Sequence, residues 1–217
     1  MSQQKLNYNT VTPLLKEVLL KLMAEPLFEP FRLIGGTNLS LRYGHRLSVD
    51  IDLFTDAEYR SIDFGKLEEW LKSNFAYYDS PDTSPIVGFG RGYYIGNSAD
   101  EAIKLDLMYT DPFISDVEII DGIRMAGVDD IVAMKMNVVS RGGRKKDFWD
   151  IHRLLNYYTV EEMLELHNKR HQWEHNPEKL RSNLADFTEA DGDMEPVCLL
   201  NKNWDDIKLD LIEKISL

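Results

Sequence analysis

The spacing of apolar positions divides this chain into a strand-rich first part and a helical second part. Residues 13–25 (PLLKEVLLKLMAE) repeat apolar side chains at helical spacing, and Pro13 suits a first helical turn. Residues 31–34 are a short apolar run ending in Gly35-Gly36, which predicts a strand entering a tight turn. Thr37 is then the expected cap of a helix over 38–43 that stops near Gly44. Residues 49–54 alternate, with Val49, Ile51 and Leu53 facing one way and Asp50 and Asp52 the other. That pattern predicts a half-buried strand with two carboxylates on its polar face. A helix is expected over 61–73. Strand-like patterning then runs from 75 to 110, clearest at 93–95 and 102–109, and Asp121-Gly122 predicts a hairpin turn.

After Asp129 the period becomes helical, over 130–140, 146–157, 160–174, 177–187 and 204–215, with a break at Gly142-Gly143. The expected fold class is α+β: a mixed sheet with flanking helices followed by a helical C-terminal part. The division is placed after residue 127. Residues 1–127 form the core with its N-terminal helix, and 128–217 form a helical part that completes the site. No repeat or low-complexity tract interrupts this order.

Composition narrows the partners. The 217 residues are 43% hydrophobic and 29% charged, as in a globular protein. The formal charge of -12 argues against a large basic face, and direct DNA binding is not expected. Local basic segments remain: Arg32, Arg42 and Arg46 fall within 31–46 with no acid among them, and Arg141, Arg144, Lys145 and Lys146 within 141–146. No apolar run is long enough to cross a bilayer, and the first five residues lack the features of a secretion signal. Cys198 is the sole cysteine, so neither an intramolecular disulfide nor a cysteine zinc site can form. The expected location is the cytoplasm, without membrane contact.

The chemistry gathers around Gly35-Gly36-Thr37 and the Asp50-Ile51-Asp52 strand. A glycine turn opening a helix lets a phosphate approach free backbone amides, and Thr37 can add a hydroxyl donor. Asp50 and Asp52 share a face, and two carboxylates so close repel unless a divalent cation lies between them. Oxygen ligands suit magnesium, with manganese as the alternative. A second alternating run puts Lys104 and Asp106 on one face. Were that strand beside the first, Asp106 would complete a three-carboxylate set able to clamp both oxygens of an in-line displacement. Taken singly, a glycine turn is usually only a turn and an alternating Asp a solvated face; their conjunction carries the reading.

Lys135, on the helix that opens near Asp129, could steady charge on a leaving pyrophosphate. Asp147 and Asp150, three apart, share a helix face and could orient Lys135 or Lys104 or accept from the nucleotide. Arg46 could touch phosphate. Surface placement is the plain alternative for Lys135 and Arg46, and helix-dipole pairing for Asp150. His167, His171 and His175 would share a helix face and are expected to be solvated rather than metal-bound; Trp70, Trp149, Trp173 and Trp204 are expected to pack.

The turn, the Asp-x-Asp strand and the later Asp strand resemble the signature of polymerase-beta-like nucleotidyltransferases. Residues 35–41 and 46–54 are similar to the first motif of the AbiEii/AbiGii toxin family, related to the MenT toxins. Residues 130–136 and 141–150 resemble its later motifs, a helix lysine and a Lys-Asp-x-x-Asp unit that here includes Lys146.

The resemblance spans roughly residues 30–155. It implies a polymerase-beta-like nucleotidyltransferase fold. Asp50, Asp52 and Asp106 would be metal ligands and catalytic, with Lys135 and Asp147. Gly35, Gly36, Thr37, Arg46, Lys104, Lys146 and Asp150 would bind nucleotide. It further implies transfer of a nucleoside monophosphate from an NTP to an acceptor, such as the 3′ end of tRNA or another RNA. The chain would then be the toxin of a type IV AbiE-like toxin–antitoxin or phage-defence system with a cognate antitoxin. A small-molecule or protein acceptor, and a regulatory module that binds nucleotide without transfer, stay open beside it.

Overall fold

The structure is a computed structural model that describes residues 5–82, 84 and 87–215. Its spine is a seven-stranded mixed sheet, β1 (Arg32–Leu33), β2 (Asp50–Thr55), β3 (Tyr77–Asp79), β4 (Gly90–Gly96), β5 (Ala102–Tyr109), β6 (Glu118–Ile120) and β7 (Ile123–Met125), in spatial order β3-β4-β5-β2-β1-β7-β6. β2 and β5 run parallel at the centre, and β1 pairs antiparallel with β2. The hairpin at Asp121-Gly122 joins β6 to β7.

Period-two patterning explains the layers. Ile51, Leu53, Leu105 and Leu107 are fully buried on one face of β2 and β5. They pack there with apolar residues of α1 (Pro13–Ala24) and α3 (Phe64–Asn74). Each such side chain contributes about 1.5–3 kcal/mol on burial. The alternating positions Asp50, Asp52, Lys104 and Asp106 stay partly open on the opposite face. Val49 does not join the inner face, being 59% exposed, because pairing with β5 begins only at Asp50.

A second core is built by α4 (Val128–Val139), α5 (Lys145–Leu154), α6 (Val160–Arg170), α7 (Pro177–Leu184) and α8 (Trp204–Ile215). It takes in Ile34, Leu39 and Ala126 from the first part of the chain, so the helical half is seated against α2 (Gly35–Tyr43) and the end of β7. Arg170 and Asp130, both fully buried as side chains, pair at 2.8 Å. Arg170 also donates to the carbonyls of Asp111 and Pro112, which pins the 110–115 loop to α6. Trp149 and Trp204 stack inside this core. Trp173 is instead 93% exposed, because α6 ends at Arg170 before reaching it. His167 is buried rather than solvated, its Nδ1 lying 3.1 Å from that of His175. Among the described residues, no helix is long and apolar enough to cross a membrane.

Candidate active site

The register of the two central strands places Asp52 directly opposite Asp106 and Asp50 opposite Lys104. Neighbouring strands lie about 4.8 Å apart, so three carboxylates from two sequence-distant strands stand on one small area of sheet. Burial, and then the Asp106 and Asp50 carboxylates, push Asp52 above the usual carboxylate range. Two ammonium groups relieve the crowding: Lys104 Nζ bonds Asp106, and Lys146 Nζ lies 3.2 Å from Asp50 Oδ2. Burial alone would lower the pKa of Lys104, but Asp106 and its neighbours raise it on balance.

Gly35 opens α2 in the left-handed region (φ 68°), and a β-carbon there would stand 2.6 Å from Asp52 Oδ2. A β-carbon on Gly36 would meet the Arg46 guanidinium at 2.1 Å. The two glycines therefore let α2 begin against both a carboxylate and a guanidinium. Since the helix starts at Gly35 with Ile34 as its cap residue, Thr37 is not the cap that its position suggested. Its buried hydroxyl donates to the Asp50 carbonyl and lies 2.9 Å from Ser48 Oγ, which leaves it beneath the cleft rather than open to a phosphate.

Across the cleft, α4 and α5 contribute a buried charge network. Lys135 Nζ lies 2.6 Å from both Asp147 Oδ1 and Asp150 Oδ2. Arg46 donates to both oxygens of Asp150 at 2.8 Å, and His45 Nε2 is 2.8 Å from Asp150 Oδ1. Burial would raise the pKa of Asp150, but Arg46, Lys135 and His45 hold it well below the usual range. Asp147 is lowered in the same manner, mainly by Lys135. Burial lowers His45 more than Asp150 raises it, which favours the neutral imidazole, with Nε2–H donating to the Asp150 carboxylate. Its Nδ1, buried without a partner among the described residues, would become an orphaned donor on protonation. Asp150 is 0% exposed with both oxygens engaged, so it serves as an internal anchor, not as a direct contact for a nucleotide.

The cleft between sheet and helices is lined by Gly35, Gly36, Arg46, Asp50, Asp52, Lys135, Lys146 and Asp147 among the expected residues. Lys104 and Asp106 adjoin it on β5. Ser48, Arg144 and an apolar set including Phe54 and Met134 also line it and were not foreseen. Arg144 lies in the basic run 141–146, within the 141–150 segment that resembles a later family motif; His45 had no such signal.

A model of the family described as nucleotidyl transferase AbiEii toxin, type IV toxin–antitoxin system, matches residues 17–217. The chain belongs to the AbiEii family. It is a nucleotidyltransferase, and its sheet and helices have the architecture of that fold. An uncharacterized protein of Aquifex aeolicus is 31% identical to the AbiEii-family chain over 170 residues, 72% of this chain and 74% of that one. Among solved structures, JHP933 from Helicobacter pylori has a TM-score of 0.57 at 22% identity, covering 92% of this chain and 88% of that one. MenT4, a nucleotidyltransferase toxin from Mycobacterium tuberculosis, has a TM-score of 0.59 at 13% identity, covering 93% and 82%. At those identities the two structures speak for the fold alone.

Proposed function

We propose that this AbiEii-family enzyme transfers a nucleoside monophosphate from an NTP to the 3′-terminal hydroxyl of an RNA, tRNA being the favoured acceptor. In this reading it is the toxin of a type IV system with a cognate antitoxin. The observation that carries the reading is the alignment of Asp50, Asp52 and Asp106 on one sheet face beside the Gly35-Gly36 helix start.

Among the described residues, no group of three or more His, Cys, Asp or Glu side chains is placed so as to hold a metal ion. The donor set nevertheless fits a hard divalent ion. It consists of carboxylate oxygens alone, and Asp52 stands opposite Asp106 in register, two residues from Asp50 on the same strand face. Asp50, Asp52 and Asp106 would hold magnesium or manganese, with Lys104 and Lys146 turning aside. Such an ion lowers the pKa of the attacking hydroxyl and offsets charge on the leaving pyrophosphate.

The remaining work belongs to the chain's own groups. The α2 start receives phosphate oxygens on its free amides. Arg46, clamped by Asp150, and Lys146 offer cations along the same wall. Lys135 has two of its three N–H bonds directed at Asp147 and Asp150, which leaves one for the triphosphate. The acceptor's 3′-hydroxyl oxygen attacks the α-phosphorus, its proton leaves toward the carboxylate cluster, and the bond from the α-phosphorus to the oxygen bridging to the β-phosphorus breaks as pyrophosphate departs.

The test is transfer of each alpha-labelled NTP, with magnesium, to total RNA and total protein of a bacterial lysate. Wild type is compared with Asp50→Ala and Asp52→Ala. Label on a tRNA-sized band, lost in both variants, is the expected result. Label on protein or a small alcohol with RNA untouched would replace the acceptor, a possibility that the -12 charge keeps in view. Nucleotide binding without any transfer would replace the reaction itself with a regulatory role.

A further inference from the structure

The cleft is graded along its length. On the cleft face, β2 and β5 present three successive rows: Asp50 opposite Lys104, Asp52 opposite Asp106, and Phe54 opposite Met108. About 13 Å of strand separates the first row from the third. Cations collect toward the first row, where Lys146 meets Asp50 and the Arg46 guanidinium stands at Gly36. Phe54 begins an apolar end, continued by Ile131, Met134 and Val138 along one stripe of α4. Ile131 is sealed in the second core, but Met134 and Phe54 are only half-buried and Val138 is 42% exposed. Apolar side chains left open inside a charged cleft mark a place for an apolar part of a ligand.

We propose that this end receives the nucleobase of the donor, with the triphosphate tail directed toward Arg46 and Lys146. The inference rests on the NTP-donor reading above and adds the polarity of the donor within the cleft. A purine or pyrimidine ring presents flat apolar faces, and Phe54, Met134 and Val138 offer a stacking and thioether surface to match. Their side chains carry no strong hydrogen-bonding group, so they read the contour of the base and not its edge pattern.

The test is calorimetric binding of the four NTPs and of inorganic tripolyphosphate, each with magnesium. Wild type is compared with the Met134→Ala/Val138→Ala double variant and, separately, with Phe54→Leu. Trimming the slot should weaken NTP binding roughly five- to tenfold. Tripolyphosphate binding should stay unchanged and so report that the fold and the cationic end are intact. Equal weakening of both ligands, or unchanged NTP binding in both variants, overturns the base slot while leaving the donor reading in place. Wild type that binds tripolyphosphate but no NTP more tightly also overturns it. Wild type that binds neither ligand removes the donor reading, and this inference with it.

Discussion

Arg46 and Asp150 form a two-pronged pair, Nε to Oδ1 and Nη2 to Oδ2, both 2.8 Å, across 104 residues of chain. The pair joins the loop before β2 to α5, so the cationic wall of the cleft and the carboxylate strand are fixed relative to each other. Removing the anion leaves Arg46 and Lys135 buried with too little counter-charge. Asp150→Ala is expected to cost about 3–5 kcal/mol. A urea-unfolding midpoint close to that of wild type would refute the anchoring role.

Asp52 behaves in the opposite sense. Its carboxyl is raised above its ordinary value of 3.8, burial being the main cause, so folding favours its protonated form. Its contribution to stability is therefore full below that ordinary value and is lost as pH rises through the folded-state value. At pH 7 in chelator, Asp52→Asn should melt a few degrees above wild type. Added magnesium should raise the melting point of wild type and leave that of Asp52→Asn nearly unmoved, a contrast that differential scanning calorimetry can read.

Gly35→Ala should fail for two independent reasons. The left-handed backbone costs an L-residue about 1–2 kcal/mol. The new methyl also stands 2.6 Å from Asp52 Oδ2 and displaces a member of the carboxylate cluster. Transfer activity is expected to fall at least tenfold more than stability loss explains. Comparing label incorporation with the folded fraction, measured by circular dichroism, checks this.

Acid should loosen the helical half first. Burial, and then His171 and His175, lower His167 from 6.5 to about 4. A lowered histidine supplies stability that is complete above 6.5 and is lost as pH falls toward 4, because the unfolded chain takes up the proton first. His167→Gln should flatten the urea-midpoint curve over that interval. An unchanged slope would show that other groups govern it.

Local patterning made much of this site legible. Side chains two apart on a strand must share a face, so Asp50 with Asp52, and Lys104 with Asp106, could be paired on sight. That Asp52 stands opposite Asp106 is a matter of register between distant strands, which period-two patterning does not contain. Thr37 was misplaced because the positive φ of Gly35 starts the helix two residues early. His45 gave no signal, since its partner Asp150 lies 105 residues away. Trp173 was expected to pack, but nothing in its neighbourhood indicated that α6 would stop at Arg170.

The long sequence span of the Arg46–Asp150 clasp also sets an order in time. Synthesis delivers all three carboxylates and the glycine turn by the end of β5, at Tyr109. Lys135 and its two acidic partners, of which Asp150 also anchors Arg46, emerge only afterwards. Chains generally fold from the N-terminus as they leave the ribosome. A growing AbiEii-family chain therefore presents its acids, with Lys104 beside Asp106, before Lys135 and Lys146 are in place. On the reading proposed above, a chain cut before residue 150 would carry the carboxylates without the clasp and should transfer no nucleotide.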